Sequence, residues 1–283
     1  VTWRVDIVPK SLLDLLDEAV EAYADDICVS FRGKSYRYRE IGALVERAAK
    51  GFKDLGVRKG IKVGLMMPNC PYAVICFYAV LKAGGTVVNI NPLYAGREIE
   101  RQVNDSGMCI LVTLAMKALY PKVEHLIEGD GLLERIVMCS MTGVLPFPEN
   151  AMYAVLRRRE IAAYPDDERH ISYEQLIDND GVFEPVVVDA RRDTAVLQYT
   201  GGTTGLPKAA GLSHANLYAN AVQLAMWAPA IKPGAEKMLC VLPLFHAFGM
   251  TALMNLGLHI GAEMILVPRF KSGDVLRAID GDK

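Results

Sequence analysis

The residues best suited to chemistry lie in one segment, residues 199–208, which reads Tyr-Thr-Gly-Gly-Thr-Thr-Gly-Leu-Pro-Lys. It combines three glycines, three threonines and one lysine, and it contains no acidic side chain. Glycine lets the backbone turn so that successive N–H groups converge on an anion, and hydroxyl and ammonium groups add further donors. The segment therefore predicts a loop that binds a polyphosphate.

This segment is not the common P-loop, which needs Gly-Lys-Ser/Thr in direct succession at the start of a helix. Leu206 and Pro207 separate Gly205 from Lys208, and a proline disfavours helical backbone at the residue before it. The apolar run Ala195–Tyr199 predicts a strand that leads into the loop. The alternatives are a flexible surface turn for the whole segment and an exposed salt-bridge residue for Lys208.

Two histidines are candidates for a second part of the site. His246 closes the run Pro243-Leu244-Phe245-His246, just after a predicted strand at 237–242. In α/β folds, ligands bind at the carboxyl ends of the strands, so this position favours a functional role over that of a core histidine. His214 begins a predicted helix at 214–228, where we expect it to pack or to cap.

Composition bounds the class of protein. The chain has 283 residues, of which 52% are hydrophobic, and 31 basic residues stand against 33 acidic ones for a net charge of −2. This balance gives no reason to expect a nucleic acid or an anionic membrane as partner. The one basic cluster, residues 157–159, is followed by four acidic residues by position 168, and it is predicted to be a solvated loop face.

The six cysteines and five histidines show no metal-ligand or disulfide spacing. Most of the cysteines lie in apolar runs, which is typical of reduced thiols in a cytoplasmic protein. The longest apolar run, residues 73–81, is too short to cross a bilayer. The sequence therefore predicts a soluble cytoplasmic protein without a transmembrane segment.

Short apolar runs rich in β-branched residues alternate with helical patterns along most of the chain. This alternation predicts an α/β fold with parallel-rich sheets flanked by helices. We expect one α/β subdomain at 1–184, with a loop-rich stretch at 141–182, and a second at 185–283 that carries the glycine-rich loop. The second is expected to be incomplete at its C-terminal end, with an unpaired sheet edge near 263–267.

The segment from Thr200 to Lys208 resembles the signature of the adenylate-forming (acyl-activating, AMP-binding) superfamily. It departs at Ala209, where that family usually has glycine. Similar motifs occur along nearly the whole chain, and their sequences most closely resemble those of long-chain fatty acyl-CoA ligases. They lie at residues 67–71, 83–86, 89–94, 212–217 and 242–249.

The resemblance implies a fold, a reaction and a site. The fold is the N-terminal part of the large domain of the adenylate-forming enzymes. The reaction is ATP-dependent activation of a fatty acid to an acyl-adenylate and then to acyl-CoA, with ATP, Mg²⁺ and CoA. His246 would be catalytic and would line the acyl pocket with Phe245, and Thr200 would help to hold Mg²⁺. The residues implied to bind the nucleotide are Thr200, Gly201, Gly202, Thr203, Thr204, Gly205 and Lys208.

Several parts of that family's machinery have no counterpart in these 283 residues. They are a Tyr-Gly-x-Thr-Glu motif, a Thr-Gly-Asp motif that grips the ribose, and a C-terminal catalytic lysine. We therefore expect a fragment that is inactive alone. The alternatives are another acyl- or aryl-adenylating enzyme, or a non-catalytic nucleotide- or partner-binding module. Acyl chain length, oligomeric state and peripheral membrane contact stay open.

Overall fold

The computed structural model describes residues 6–129, 131–200 and 208–281. Its strands are β1 (Ile27–Phe31), β2 (Lys34–Arg37), β3 (Lys62–Met66), β4 (Thr86–Asn89), β5 (Ile110–Leu114), β6 (Arg135–Cys139), β7 (His170–Ser172), β8 (Thr194–Thr200), β9 (Lys208–Ser213), β10 (Lys237–Cys240) and β11 (Glu263–Leu266).

Its α-helices are α1 (Leu12–Ala22), α2 (Tyr38–Asp54), α3 (Pro71–Lys82), α4 (Gly96–Ser106), α5 (Glu149–Leu156), α6 (Tyr173–Leu176), α7 (His214–Trp227), α8 (Ala247–Gly249), α9 (Leu256–His259) and α10 (Ser272–Gly281). A π-helical stretch, Met250–Asn255, joins α8 to α9, and short 3₁₀ turns occur at 120–122, 124–126, 141–144 and 158–160.

The larger sheet of the described residues has the strand order β7-β6-β5-β3-β4-β8-β9. Every neighbouring pair is parallel except β8 and β9, which are antiparallel. The carboxyl ends of the six parallel strands β3 to β8 therefore meet at one edge, called the carboxyl edge below, and their amino ends meet at the opposite amino edge. The predicted α/β fold with parallel-rich sheets is confirmed.

The smaller sheet has the order β10-β11-β1-β2. Strand β11 pairs in parallel with β10 on one side and with β1 on the other. The predicted unpaired edge near 263–267 is therefore wrong, because a strand from the first thirty residues covers it. Both sheets take strands from either side of position 184, so strand pairing does not support the predicted division there.

Helices pack between and around the sheets. Ten of the twelve residues of α3 are buried, so this helix is apolar on nearly every side, as expected for a helix enclosed in the core. The hydroxyl of Tyr78 in α3 donates to Oδ1 of Asn255 at 2.8 Å. The hydroxyl of Tyr38 in α2 donates to the carbonyl oxygen of Ala262 at 2.8 Å, which fixes α2 to the turn before β11.

Local interactions define the first elements at the N-terminal end. Ser11 caps α1 in a capping box with Asp14. Arg32 and Gly33 both have positive φ, 49° and 84°, as a two-residue hairpin between twisted strands requires. The predicted loop-rich stretch at 141–182 is only partly right, because it contains α5 and the edge strand β7.

Candidate functional site

The two ends of the glycine-rich segment lie side by side at the carboxyl edge. Thr200, the last residue of β8, is paired across the hairpin with Lys208, the first residue of β9. The Thr200 hydroxyl donates to the Lys208 carbonyl oxygen at 3.3 Å, and both residues are exposed. Gly201, Gly202, Thr203, Thr204 and Gly205 lie outside the described residues, so their role stays a prediction.

The segment that carries Phe245 and His246 reaches the same edge. Gln198, two residues before the end of β8, donates from Nε2 to the Phe245 carbonyl oxygen at 3.2 Å. Its Oε1 accepts from Nδ2 of Asn89, at the end of β4, at 3.1 Å. The structure thus brings together the two motifs that the sequence separates by about forty residues.

Phe245 and His246 offer an apolar ring beside a polar one. Their ring centroids are 5.2 Å apart, Phe245 is partly buried and His246 is exposed. His246 stands just before α8, and its carbonyl oxygen accepts from the N–H of Met250 at 2.8 Å. An exposed imidazole at the carboxyl edge is available to a ligand, as the sequence predicts, and its catalytic role stays a prediction.

The segment before Phe245 is held in place by Asn69, a buried residue for which the sequence predicts no role. Asn69 is 3% exposed and follows the carboxyl end of β3. Its Nδ2 donates to the carbonyl oxygens of Cys240 and Leu242, both at 2.9 Å, and its Oδ1 accepts from the N–H of Leu244 at 2.8 Å. The available signal was a lone amide side chain in an otherwise apolar run after a strand.

Tyr199, directly before Thr200, is held by a side-chain hydrogen bond to helix α4. Its hydroxyl donates to Oδ2 of Asp105 in α4 at 2.6 Å. Burial, followed by the hydrogen bond to Asp105, raises the pKa of Tyr199 well above its usual range, so the phenol stays protonated and donates. Sequence patterns gave no sign of this contact, which joins residues 94 positions apart.

His214 lies at the amino edge, away from these residues. It is 3% exposed, and its Nδ1 accepts from the N–H of Leu12, the first residue of α1, at 3.3 Å. Burial lowers the pKa of His214 to about 4. With Lys59, Thr86 and Asp193 it lines a cavity of about 300 Å³. The neutral imidazole serves as an acceptor for an otherwise unpaired helix N–H, which confirms the expectation that it packs or caps.

The residues at the carboxyl edge do not by themselves fit Mg²⁺. In proteins this ion is held by one or two carboxylates together with substrate phosphates, whereas Thr200 offers a single hydroxyl. In the described part of the chain, no group of three or more His, Cys, Asp or Glu side chains could hold a metal ion. The role of Thr200 at a metal therefore stays a prediction.

The thiols of the cysteines are not suited to chemistry at this site. All six are free, and five of them are buried. Burial raises the pKa of Cys70 and of Cys240 to about 12, so these thiols stay protonated near neutral pH and are poor nucleophiles. No helix in the described ranges is long and apolar enough to cross a membrane.

Comparison with known proteins identifies a family for this chain. A family model described as AMP-binding enzyme matches residues 16–281. A long-chain-fatty-acid–CoA ligase of Bacillus subtilis is 36% identical over 277 residues, which cover 97% of this chain and 49% of that relative. The Arabidopsis thaliana 4-coumarate–CoA ligase 1 is 29% identical over 276 residues, covering 95% of this chain and 45% of its own length.

Among solved structures, a long-chain-fatty-acid–CoA ligase from Archaeoglobus fulgidus superposes with a TM-score of 0.79 at 27% identity, over 98% of this chain and 51% of that one. The chain spans about half the length of the curated relatives it matches. Given a family model that matches all but the ends and the shared fold, the chain belongs to the AMP-binding enzyme family.

Proposed function

We propose that this chain forms the nucleotide-binding region and part of the acyl-binding region of a fatty acid–CoA ligase. The observation that carries the proposal is the hydrogen bond from Gln198 to Phe245. It holds the acyl-side motif beside the strand that ends in the glycine-rich segment. The similarity to long-chain-fatty-acid–CoA ligases over nearly the whole chain supports the same conclusion.

The proposed reaction has two steps. A carboxylate oxygen of the fatty acid attacks the α-phosphorus of ATP, an oxygen–phosphorus bond forms, and the bond to the β-phosphate breaks to release pyrophosphate. The thiol of CoA then loses its proton to solvent and its sulfur attacks the acyl carbonyl carbon. A carbon–sulfur bond forms, and the bond between that carbon and the AMP oxygen breaks, so that AMP leaves. The first step brings an anion toward a polyanion, so donors and cations must stabilise charge more strongly in the transition state than in the ground state.

Lys208 is suited to that task because it is an exposed cation at the mouth of the hairpin. We assign it, with the donors of residues 200–205, to the departing β- and γ-phosphates. Tyr199 and its partner Asp105 fix the strand residue before this group. Bound Mg²⁺ would neutralise phosphate charge, but the described residues supply no protein site for it.

His246 and Phe245 are assigned to the acyl side. Phe245 offers an apolar surface to the acyl chain, and His246 offers a polar ring to the carboxylate end. Gln198 donates to the Phe245 carbonyl oxygen, and Asn69 accepts from the N–H of the preceding residue, Leu244. Two buried side chains therefore fix the backbone that leads into both rings. A preorganised backbone of this kind lets a ligand bind without a further cost of ordering the segment.

The acyl substrate is assigned to the fatty acids because the fatty-acid-activating relative of Bacillus subtilis is more similar than the 4-coumarate-activating one of Arabidopsis, 36% against 29%. An aromatic acid is the second candidate on the strength of that plant relative. Free, mostly buried thiols support a reducing, cytoplasmic location. Fatty acid, ATP and CoA are the proposed small-molecule partners.

The direct test uses the complete gene product that contains these residues. It is incubated with ATP, Mg²⁺ and CoA and with either palmitate or 4-coumarate, and the thioesters are identified by mass. We expect palmitoyl-CoA as the main product. Exclusive formation of 4-coumaroyl-CoA would replace the fatty acid by an aromatic one, and no thioester from either acid would favour a non-catalytic nucleotide- or partner-binding module.

The 283-residue chain tested alone provides a second comparison. The ribose-gripping aspartate and the catalytic lysine that the family resemblance implies have no counterpart in these residues. Groups that act as one catalytic unit are not additive, so losing several leaves little beyond binding. We expect no acyl-CoA at an ordinary enzymatic rate of about 1 s⁻¹. Turnover at that rate would show that the residues described here suffice.

A further inference from the structure

Helix α5 presents an apolar stripe to solvent. Of its eight residues, all of them described, none is buried. Met152, Val155 and Leu156 are 54%, 75% and 71% exposed, and Phe147 just before the helix is 83% exposed. The spacing of three and four residues places Met152, Val155 and Leu156 on one side of the helix. Such a stripe is costly in water unless something covers it.

Basic side chains border this stripe. Arg157, Arg158 and Arg159 follow the helix directly and are exposed. Arg157 pairs with Glu160 at 2.6 Å, but among the described residues no ion pair joins Arg158 or Arg159 to a carboxylate. The three arginines are exposed, as the sequence predicts for a solvated loop face. The sequence did not indicate the apolar stripe of α5 beside them.

A fourth basic residue comes from a distant part of the chain. The bridge between Met116 and Ile161 and the hydrogen bond from the Lys117 N–H to the Glu160 carbonyl oxygen, at 2.9 Å, bring Lys117 to the arginine turn. Lys117, Arg158, Arg159, Val155 and Leu156 together line a hollow of about 570 Å³. Its lining thus combines three cationic side chains with two apolar ones.

We propose that α5 and the arginine turn dock this protein on an anionic lipid bilayer. The hollow suits a lipid phosphate between Lys117 and the two arginines, and Val155 and Leu156 suit the boundary between headgroups and acyl chains. An amphipathic helix with an apolar stripe and a basic border lies in the interface plane of a membrane in this way. The net charge of −2 gives the chain no overall attraction to such a surface, so the attraction is local.

The surface lies on the same side of the larger sheet as the proposed nucleotide site. Lys117 follows the carboxyl end of β5, and α5 follows that of β6. Strand β8, which ends at Thr200, lies three strands from β5 in the same sheet, about 14 Å away at the usual strand spacing. The docking surface and the proposed nucleotide site therefore share the carboxyl edge. Bilayer binding itself needs no catalysis, so it is tested independently of the proposed function.

The test is flotation of the 283-residue chain with vesicles of neutral phosphatidylcholine or of phosphatidylcholine with 30% phosphatidylglycerol. We expect binding to the anionic vesicles that is at least tenfold stronger than to the neutral ones and that is weakened by high salt. Binding to neither vesicle, or equal binding to both, would overturn the proposal.

Two matched pairs of variants locate the surface. Arg158→Glu with Arg159→Glu is compared with Arg191→Glu with Arg192→Glu, which makes the same charge change at another exposed pair. Val155→Glu with Leu156→Glu is compared with Val182→Glu with Val187→Glu, whose side chains are 70% and 86% exposed. The first member of each pair should lose at least tenfold in vesicle affinity, and its control less than threefold.

Circular dichroism and the thermal midpoint of each variant establish that it folds, as expected for exposed positions. Equal losses in variant and control would assign the binding to overall charge or overall apolarity and would overturn the role of α5. Because the neutral-against-anionic comparison uses the unaltered chain, the proposal stays testable even for a variant that fails to fold.

Discussion

His214 and His246 lie at opposite edges of the larger sheet, and their surroundings differ in almost every respect. His214 is buried at the amino edge, and its Nδ1 accepts a hydrogen bond from the N–H of Leu12. His246 is exposed at the carboxyl edge, next to Phe245 and near the mouth of the hairpin. In sequence, each is a lone histidine close to a predicted helix or strand end.

The difference shows that the two edges of a parallel sheet give a histidine different roles. At the amino edge His214 lines a cavity, and its imidazole acts as a hydrogen-bond acceptor for the first N–H of α1. At the carboxyl edge buried amides such as Asn69 and Gln198 hold the backbone and leave the side chains above them free. The sheet edge on which a histidine lies is therefore more informative than the residues beside it in sequence.

The largest expected effect concerns the support beneath the carboxyl edge. Asn69→Ala should lower the free energy of unfolding by about 3 kcal/mol, because two buried hydrogen bonds and one partly buried one are lost. The Leu244 N–H loses its Asn69 partner, whereas the Cys240 carbonyl oxygen still accepts from the Val267 N–H. Urea unfolding measures the change. Asn104→Ala is the control, since this exposed amide bonds only within its own helix. An unchanged midpoint for Asn69→Ala would remove it from this role.

The next effect concerns phosphate binding. A lysine that donates to phosphate makes a charge-assisted contact worth about 1.5–3 kcal/mol. In the complete gene product, Lys208→Ala should therefore slow acyl-adenylate formation by roughly tenfold to a hundredfold, with little change in thermal stability because the residue is exposed. ATP–pyrophosphate exchange is the measurement, with the exposed Lys232→Ala as control. Exchange at the unaltered rate would exclude Lys208 from the mechanism.

At the amino edge the expected effect is on stability and depends on pH. The pKa of His214 is lowered to about 4 in the folded state from an ordinary value of 6.5, so the unfolded state binds more protons between these values. Stability from this group is present above pH 6.5 and is lost as pH falls toward 4. Between pH 7 and pH 5 we expect a loss of about 2 kcal/mol.

Replacing His214 by asparagine keeps an acceptor for the Leu12 N–H and removes the titration. The loss of stability between pH 7 and pH 5 should become smaller by about 2 kcal/mol in His214→Asn. His125→Asn, which alters an exposed histidine, should leave the loss unchanged. Identical pH profiles for the unaltered chain and His214→Asn would contradict the assigned protonation.

The smallest expected effect is at the acyl side of the carboxyl edge. His246→Ala should reduce acyl-dependent turnover of the complete gene product by about tenfold, the loss of one hydrogen bond to the reacting group, and should leave ATP affinity within about twofold. Its thermal midpoint should hardly change because the ring is exposed. A variant that unfolds readily yet keeps its activity per folded molecule would make His246 a structural residue.

Much of the local structure could be predicted because its causes are local. The capping box of Ser11 and Asp14 and the Arg32-Gly33 hairpin depend on residues within three or four positions of one another. The end of β8 at the glycine-rich segment was also predictable. The apolar run at 195–199 is followed by glycines, which are disfavoured in strands. These features do not depend on contacts with distant parts of the chain.

What could not be predicted depends on distant contacts. Strand β11 is enclosed because β1, more than 230 positions earlier, pairs with it. Asn69 and Asp105 act on residues 94 or more positions away, and a lone amide or carboxylate in the sequence does not reveal its partner. The exposure of α5 is a tertiary fact too, because its apolar residues alone are equally typical of a helix that packs inward.

The measurement that tests the account most directly is hydrogen–deuterium exchange of the 283-residue chain with and without ATP. If ATP binds at the carboxyl edge, adding ATP should slow exchange in peptides that cover residues 199–208 and 242–249. Peptides that cover residues 57–62, 84–86 and 189–194, around the His214 cavity at the amino edge, should exchange unchanged. Protection confined to the amino-edge peptides would contradict the assignment of the nucleotide site.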